Sequence, residues 1–176
     1  VGVCLEIVQA WFAELPALVH SVMHTAGQSP AMSYAGSGTN ALDRGIEAIV
    51  YAHQAMSAVR PQALWERRFG SATIRLQKRY RLVPRGVAVC FTCATFPTWN
   101  AYPALLASLA TGNAVIVKPH PTGILPMALS VRAARRVLAA AGFDPNLVTL
   151  AVDSPAEPLG KRLVEHPLTA IVDFTG

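Results

Sequence analysis

The sequence predicts an α/β fold, the first part of a Rossmann-like parallel sheet behind an N-terminal helical layer, and three observations carry that reading. Two short, continuous apolar runs, Val87–Thr92 and Ala114–Val117, have the length and branched side chains of strands covered on both faces. Helical patterns separate such runs at the spacing of right-handed βαβ units, which build parallel sheets. The second run ends on Lys118 and Pro119, so it delivers one lysine to the carboxyl end of a strand, where open α/β sheets bind nucleotides.

Composition agrees with a globular chain. With 52% hydrophobic and 14% charged residues over 176 positions, there is enough apolar material for one domain with a real core. Mean hydropathy is +0.36, yet Gly, Pro, Asn or charged residues interrupt every apolar run well before the roughly 18 residues of a membrane span. No basic segment followed by an apolar stretch comes after Val1, so no signal peptide is expected. Three cysteines, an odd number, suit a reducing compartment, and the cytoplasm is the expected location. The net charge of +5 favours anionic ligands such as nucleotides, CoA esters or nucleic acid without choosing among them.

From Leu5 to His24, apolar residues recur at helical spacing (Ile7, Val8, Trp11, Leu15, Leu18, Val19, Val22), and Pro16 marks a break. Residues 25–40, rich in Gly, Ser, Thr and Pro, read as a loop. A helix is expected over Ala41–Ala58 with Ile46, Ile49, Val50 and Met56 inward. Residues 60–70 read as a loop or short turn, and Thr73–Leu82 alternate as an exposed strand (Ile74, Leu76, Tyr80, Leu82). Beyond the Val87–Thr92 strand, the pattern predicts a helix over Trp99–Ala110, the Ala114–Val117 strand, and a helix over Leu125–Ala141 closed by Gly142 at C′. A strand over Leu147–Val152, a short helix over Glu157–Glu165 and a strand over Thr169–Phe174 complete the series. The chain thus divides into an N-terminal helical region (1–72), a connecting strand (73–85) and the first part of a nucleotide-binding α/β domain (86–176).

Several local signals point elsewhere and are outweighed. Cys90 and Cys93 form a C-x₂-C, but within a predicted strand residues three apart face opposite ways, and no second pair exists, so packed free thiols are expected. His20 and His24 stand four apart on a helix without a third ligand or an intervening glutamate, and no metal site is expected. The "GSGTN" at Gly36 lacks a preceding strand and reads as a helix-entry loop. The basic stretch from Arg67 to Arg85, interleaved with Phe69 and Tyr80, has the composition of a single-strand nucleic-acid face; a solvated strand, or one pairing across subunits, is the preferred reading.

The segment "PRGVAVCFTCATFPTWNAYPALLASLATGNAVIVKPHPTGILP", continued by "AGFDPNLVTL" and "HPLTAIVDFTG", resembles the cofactor domain of the aldehyde dehydrogenase superfamily. The variants "TFPTWNAYP" and "KPHP", with "VMHTAGQ" and "DRGIEAIVYAH" upstream, are most similar to the branch associated with phenylacetic acid degradation, the PaaN-type proteins. The resemblance implies NAD- or NADP-dependent oxidation of an aldehyde by a homo-oligomer acting without nucleic acid or membrane, and the branch implies a CoA-linked, ring-opened semialdehyde as that substrate. It implies a cysteine that attacks the aldehyde and a glutamate that activates water for deacylation. In the family both follow "FTGS", whereas this chain ends at Gly176, so the fragment by itself is expected to be inactive. A non-catalytic oligomerisation or binding fragment is the alternative.

Residue by residue, the resemblance places Lys118 at the adenosine ribose, where a long cation suits hydroxyl or 2′-phosphate oxygens. Where the family usually has a second ribose-holding residue, a glutamate, this chain has Pro121, preceded by His120, which leaves both NAD and NADP open. Thr95 stands where active members carry an asparagine whose amide polarises the aldehyde oxygen, an interaction that can contribute roughly 3 kcal/mol in a transition state. Asn100 is the candidate substitute for it. Thr175 and Gly176 open the turn that approaches the pyrophosphate. Phe96, with Pro97 and Trp99, lines the adjoining loop, where packing is the expected role.

Overall fold

The computed structural model describes residues 1–175. Helices α1 (Gly2–Ala13) and α2 (Leu15–Ala26) meet at 68° around Glu14, with Pro16 in the first turn of α2, where its missing N–H costs no helical hydrogen bond. Among the described residues no single helix is long and apolar enough to cross a membrane.

The stretch read as a loop at 25–40 is mostly helical, which corrects the sequence expectation. A short turn α3 (Pro30–Met32), capped by Ser29, runs into a π-helical segment (Ser33–Thr39) and then into α4 (Asn40–Ser57). The "GSGTN" residues are therefore inside a continuous helical path and not an entry loop. Hydroxyl-bearing residues that disfavour helices in isolation are accepted here because tertiary partners satisfy them: Ser33 and Ser37 donate to Gln28 Oε1 at 3.1 and 3.3 Å. Helix α4 buries Ile49 as expected but turns Ile46 and Val50 outward. Ala41, Leu42, Gly45, Ile49 and Ala52 are buried, whereas Ile46 and Val50 remain 40% and 44% exposed. Small residues face inward because α4 lies tight against α5 (Pro97–Ala110); a Cβ on Gly45 would stand 2.8 Å from Leu106 Cδ1.

Strands β1 (Gln62–Phe69) and β2 (Ala72–Arg79) form an antiparallel hairpin in register from Gln62↔Arg79 to Phe69↔Ala72. The first of them falls where a loop and the end of the helical region were expected. Every residue of both strands is exposed, so burial left no alternation for a sequence pattern to report in β1.

The parallel sheet is as expected. Strands β3 (Val87–Thr92), β4 (Ala114–Pro119), β5 (Val148–Leu150) and β6 (Thr169–Phe174) pair in the order β5-β4-β3-β6. Helix α6 (Ile124–Ala140) joins β4 to β5 and ends at Ala141 with Gly142 at φ 78°, the left-handed conformation that favours glycine. The short α7 (Gly160–Val164) precedes β6. The chain leaves β3 toward β4 and β5, then returns to the other side of β3 as β6, so a topological switch lies at the carboxyl ends of β3 and β6.

The core lies between the sheet and the layer formed by α1, α4, α5 and α6. Trp11 and Tyr102 stack with ring centroids 3.8 Å apart, both fully buried. Their polar ends are satisfied on α6: Trp11 Nε1 donates to the Ser130 carbonyl at 2.9 Å, and the Tyr102 hydroxyl lies 2.9 Å from Ser130 Oγ, which itself donates to the Pro126 carbonyl. Asn113, just before β4, accepts the Arg85 and Gly86 N–H groups at 2.7 and 3.1 Å and fixes the entry to β3.

Candidate functional site

At the carboxyl end of β4, Lys118 is not free. Its Nζ lies 2.7 Å from Asp153 Oδ1, with the two side chains 14% and 4% exposed. Asp153 stands just past β5, which pairs with β4 from Val115↔Val148 to Val117↔Leu150, and Oδ2 also accepts the Leu159 N–H at 2.8 Å. Burial raises the Asp153 pKa, but the Lys118 hydrogen bond, the Leu159 N–H and the charge of Lys118 together outweigh it, so the carboxyl titrates below its ordinary range. The pair is a buried, ionised salt bridge at the rim of the sheet.

His120 and Pro121 follow directly. The His120 N–H donates to the Thr92 carbonyl at 3.1 Å and ties the end of β4 to the end of β3. Its Nδ1 accepts the Thr122 N–H at 3.3 Å and lies 2.9 Å from Thr122 Oγ1, capping the 3₁₀ turn Pro121–Gly123. Pro121 opens that turn and offers no donor. Thr92 Oγ1, at the end of β3 beside the switch, is buried without a hydrogen-bond partner among the described residues.

The loop after β3 carries the second group of expected residues. The strand ends at Thr92, so Cys93 belongs to the loop and not to the strand. Cys93 Sγ accepts the Phe96 N–H at 3.2 Å and lies 3.4 Å from Thr95 Oγ1. Thr95 is exposed, and its carbonyl is held by Gln28 Nε2. Phe96 packs edge-on against Trp99 with centroids 6.0 Å apart and fills the space above Gly36, where a Cβ would meet Phe96 Cε1 at 2.5 Å. Thr98 Oγ1, in the first turn of α5, donates to the Ser37 carbonyl at 2.6 Å and ties that helix to the π-helical segment. Asn100 Nδ2 donates to the Thr175 carbonyl at 3.3 Å, which brings the start of α5 to the end of β6. Gly176 lies outside the described residues.

Thus Lys118, His120 and Pro121 gather at the end of β4, Thr95 and Phe96 share the loop after β3, and Asn100 meets Thr175. Sequence reasoning missed Asp153, Gln28, Gly36 and Thr92. Asp153 had a readable signal, since an acidic residue closing an apolar run is the mirror image of the lysine at Lys118. Gln28 had none, because its partner lies 67 positions along the chain.

Cys4 and Cys90 are buried free thiols, and Cys93 is a half-buried one. Burial, helped by the charge of Asp173, pushes the Cys90 thiol far up, and its Sγ donates to the Ala101 carbonyl at 3.8 Å. Among the described residues no cluster of His, Cys, Asp or Glu is arranged to hold a metal ion.

Comparison with known proteins places this geometry in a family. Residues 13–176 match the aldehyde dehydrogenase family. The chain belongs to that family. An NAD-dependent aldehyde dehydrogenase from Burkholderia multivorans superposes with a TM-score of 0.88 at 46% identity, over 97% of this chain and 31% of that one. A 1-pyrroline-5-carboxylate dehydrogenase from Halalkalibacterium halodurans is 35% identical over 105 residues, 57% of this chain and 18% of its own length. The glyceraldehyde-3-phosphate dehydrogenase of Methanocaldococcus jannaschii, solved with NADP, shares the fold at 17% identity with a TM-score of 0.70, over 99% of this chain and 35% of that one. The chain therefore spans under a third of the first solved relative and under a fifth of the curated one. Family members bind NAD or NADP. The residues present fit such a group: a paired cation and carboxylate at the strand ends and an unpartnered buried hydroxyl at the switch.

Proposed function

We propose that this chain supplies the opening part of the cofactor domain of an aldehyde dehydrogenase that oxidises an aldehyde with NAD or NADP. The observation that carries the reading is the Lys118–Asp153 pair at the carboxyl end of the sheet in a chain of this family. Lys118 and Asp153 would hold the adenosine ribose, and Thr175 and Gly176 would meet the pyrophosphate. When bound, the nicotinamide accepts hydride from the substrate. Thr95 and Asn100 are the candidates for orienting the aldehyde oxygen. Thr95 has the freer side chain, since its hydroxyl contacts only a thiol while the Asn100 amide is engaged by Thr175. The attacking cysteine and the deacylating glutamate would come from other parts of the full-length protein.

The finer reading is a cytoplasmic enzyme of the phenylacetate-degradation type that acts on a CoA-linked semialdehyde as a homo-oligomer. The sequence resemblance supports the substrate class. The fully exposed β1–β2 hairpin, with Trp65, Phe69, Ile74 and Leu76 in the open, supports the oligomer, since such an arm is costly to leave solvated. The test is steady-state reduction of NAD and NADP by the full-length protein over a panel of free aldehydes and CoA-linked semialdehydes. Turnover with the CoA-linked members above all others is expected, turnover only with free aldehydes would remove the finer reading, and no turnover with any member would remove the enzyme reading.

A further inference from the structure

In an open α/β sheet that starts in the middle, the group that reads the ribose stands at the carboxyl end of the second strand of the series, where an acidic residue accepts the 2′-hydroxyl and an arginine accommodates a 2′-phosphate. Here that second strand is β4, and the residues at its end, Lys118, Pro119, His120 and Pro121, include no carboxylate. The structure brings one in from the next strand. Asp153 Oδ1 touches Lys118 Nζ at 2.7 Å, Oδ2 is fixed by the Leu159 N–H, and the side chain is 4% exposed. It borders a depression of about 740 Å³ with Val152, Glu157, Leu159 and Arg162.

We infer that Asp153 is the residue that makes this site select NAD over NADP, by taking over from the third strand the carboxylate that the end of the second strand does not provide. The inference rests on reading the chain as a nicotinamide-cofactor domain. Each Asp153 oxygen already accepts one hydrogen bond and keeps lone-pair capacity for a ribose hydroxyl, while Lys118 keeps two of its three N–H donors. A free 2′-hydroxyl satisfies both groups, donating to the carboxylate and accepting from the ammonium. A 2′-phosphate offers acceptors only and brings up to two negative charges against a buried carboxylate that is fixed in the ionised state. Two other charged groups reach the depression, Glu157 and Arg162, and both are exposed. They are of opposite sign and solvent-screened, so the buried carboxylate decides the discrimination.

The experiment is isothermal titration of the full-length protein with NAD and with NADP, for wild type, Asp153→Asn and Asp153→Glu, with circular dichroism melts to establish that each variant is folded. Asp153→Ser stands in for Asp153→Asn should the amide variant not fold. The expected wild-type preference for NAD is about tenfold or more, falling to about twofold or less in Asp153→Asn through tighter NADP binding, and restored in Asp153→Glu. A folded, NAD-binding Asp153→Asn or Asp153→Ser protein that keeps the wild-type ratio would overturn the inference and leave the cofactor reading intact, with Asp153 reduced to a tether for Lys118. A wild-type preference for NADP would overturn it as well. Binding of neither nucleotide by wild type would overturn both readings.

Discussion

Two aspartates near the carboxyl end of the sheet contrast. Asp153, past β5, is almost fully buried yet titrates below the ordinary carboxylate range, because Lys118 and the Leu159 N–H more than offset the desolvation. Asp173, in β6, borders a groove of about 700 Å³ lined by Arg44, Tyr51, Trp99, Asn100 and Thr175, and burial alone raises its pKa. The first carboxylate is built to stay charged and the second is held against its charge. This sheet keeps an ion pair at the end of β4 and β5, while on the β6 side the Asn100 side chain donates to the Thr175 carbonyl. Within the core, the Trp11–Tyr102 stack ties α1 and α5 to α6 through Ser130.

The largest expected effect falls on the core and not on either aspartate. Trp11→Ala removes a fully buried indole, its stack and its hydrogen bond to Ser130, and should cost about 3–5 kcal/mol in urea unfolding of the full-length protein. A loss under about 1 kcal/mol would mean that the helical layer is not anchored there. Next comes Asp153→Asn, which leaves the Lys118 ammonium 14% exposed without its partner and should destabilise by about 2 kcal/mol at neutral pH. Gly36→Ala should cost about 1–2 kcal/mol, because the new Cβ meets Phe96 and shifts the loop that carries Thr95; a thermal melt matching wild type would show that the ring yields freely.

The smallest effect has the opposite sign. Asp173→Asn removes a charge that burial disfavours and should stabilise slightly at pH 7, by no more than about 0.5 kcal/mol because solvent screens the half-exposed carboxyl, so a clear loss of stability there would break the contrast. The pH dependence separates the two groups in the same way. The Asp153 carboxyl has a lowered folded pKa, so its contribution is complete above the ordinary carboxylate range and is lost as pH falls below about 4 through the folded value. The Asp173 carboxyl has a raised folded pKa, so it favours the folded state as pH falls and opposes it once ionised. Acid unfolding of Asp153→Asn should therefore be shallower than wild type, and that of Asp173→Asn steeper.

Much of this fold was legible in the sequence because its central strands are covered on both faces. The apolar runs at Val87–Thr92 and Ala114–Val117 advertise β3 and β4, and Gly142 marks the end of α6. The hairpin was half missed, since β1 is exposed throughout and leaves no burial pattern, and Arg67 and Arg68 make it look like a solvated turn. Residues 25–40 were misread for a different reason. Their Ser, Gly and Thr content says loop, but Gln28, Phe96 and Thr98 supply tertiary partners that hold a π-helical path. The site divides the same way. Lys118 could be found from a strand end, whereas its pairing with Asp153 needed the strand order β5-β4.

The proposed nicotinamide-cofactor site turns on Lys118 at the end of β4, and titration of NAD into full-length Lys118→Met measures its part. A folded variant should bind NAD at least about tenfold more weakly than wild type, because a charge-assisted hydrogen bond is worth about 1.5–3 kcal/mol. Unchanged NAD affinity in that folded variant would contradict the claim.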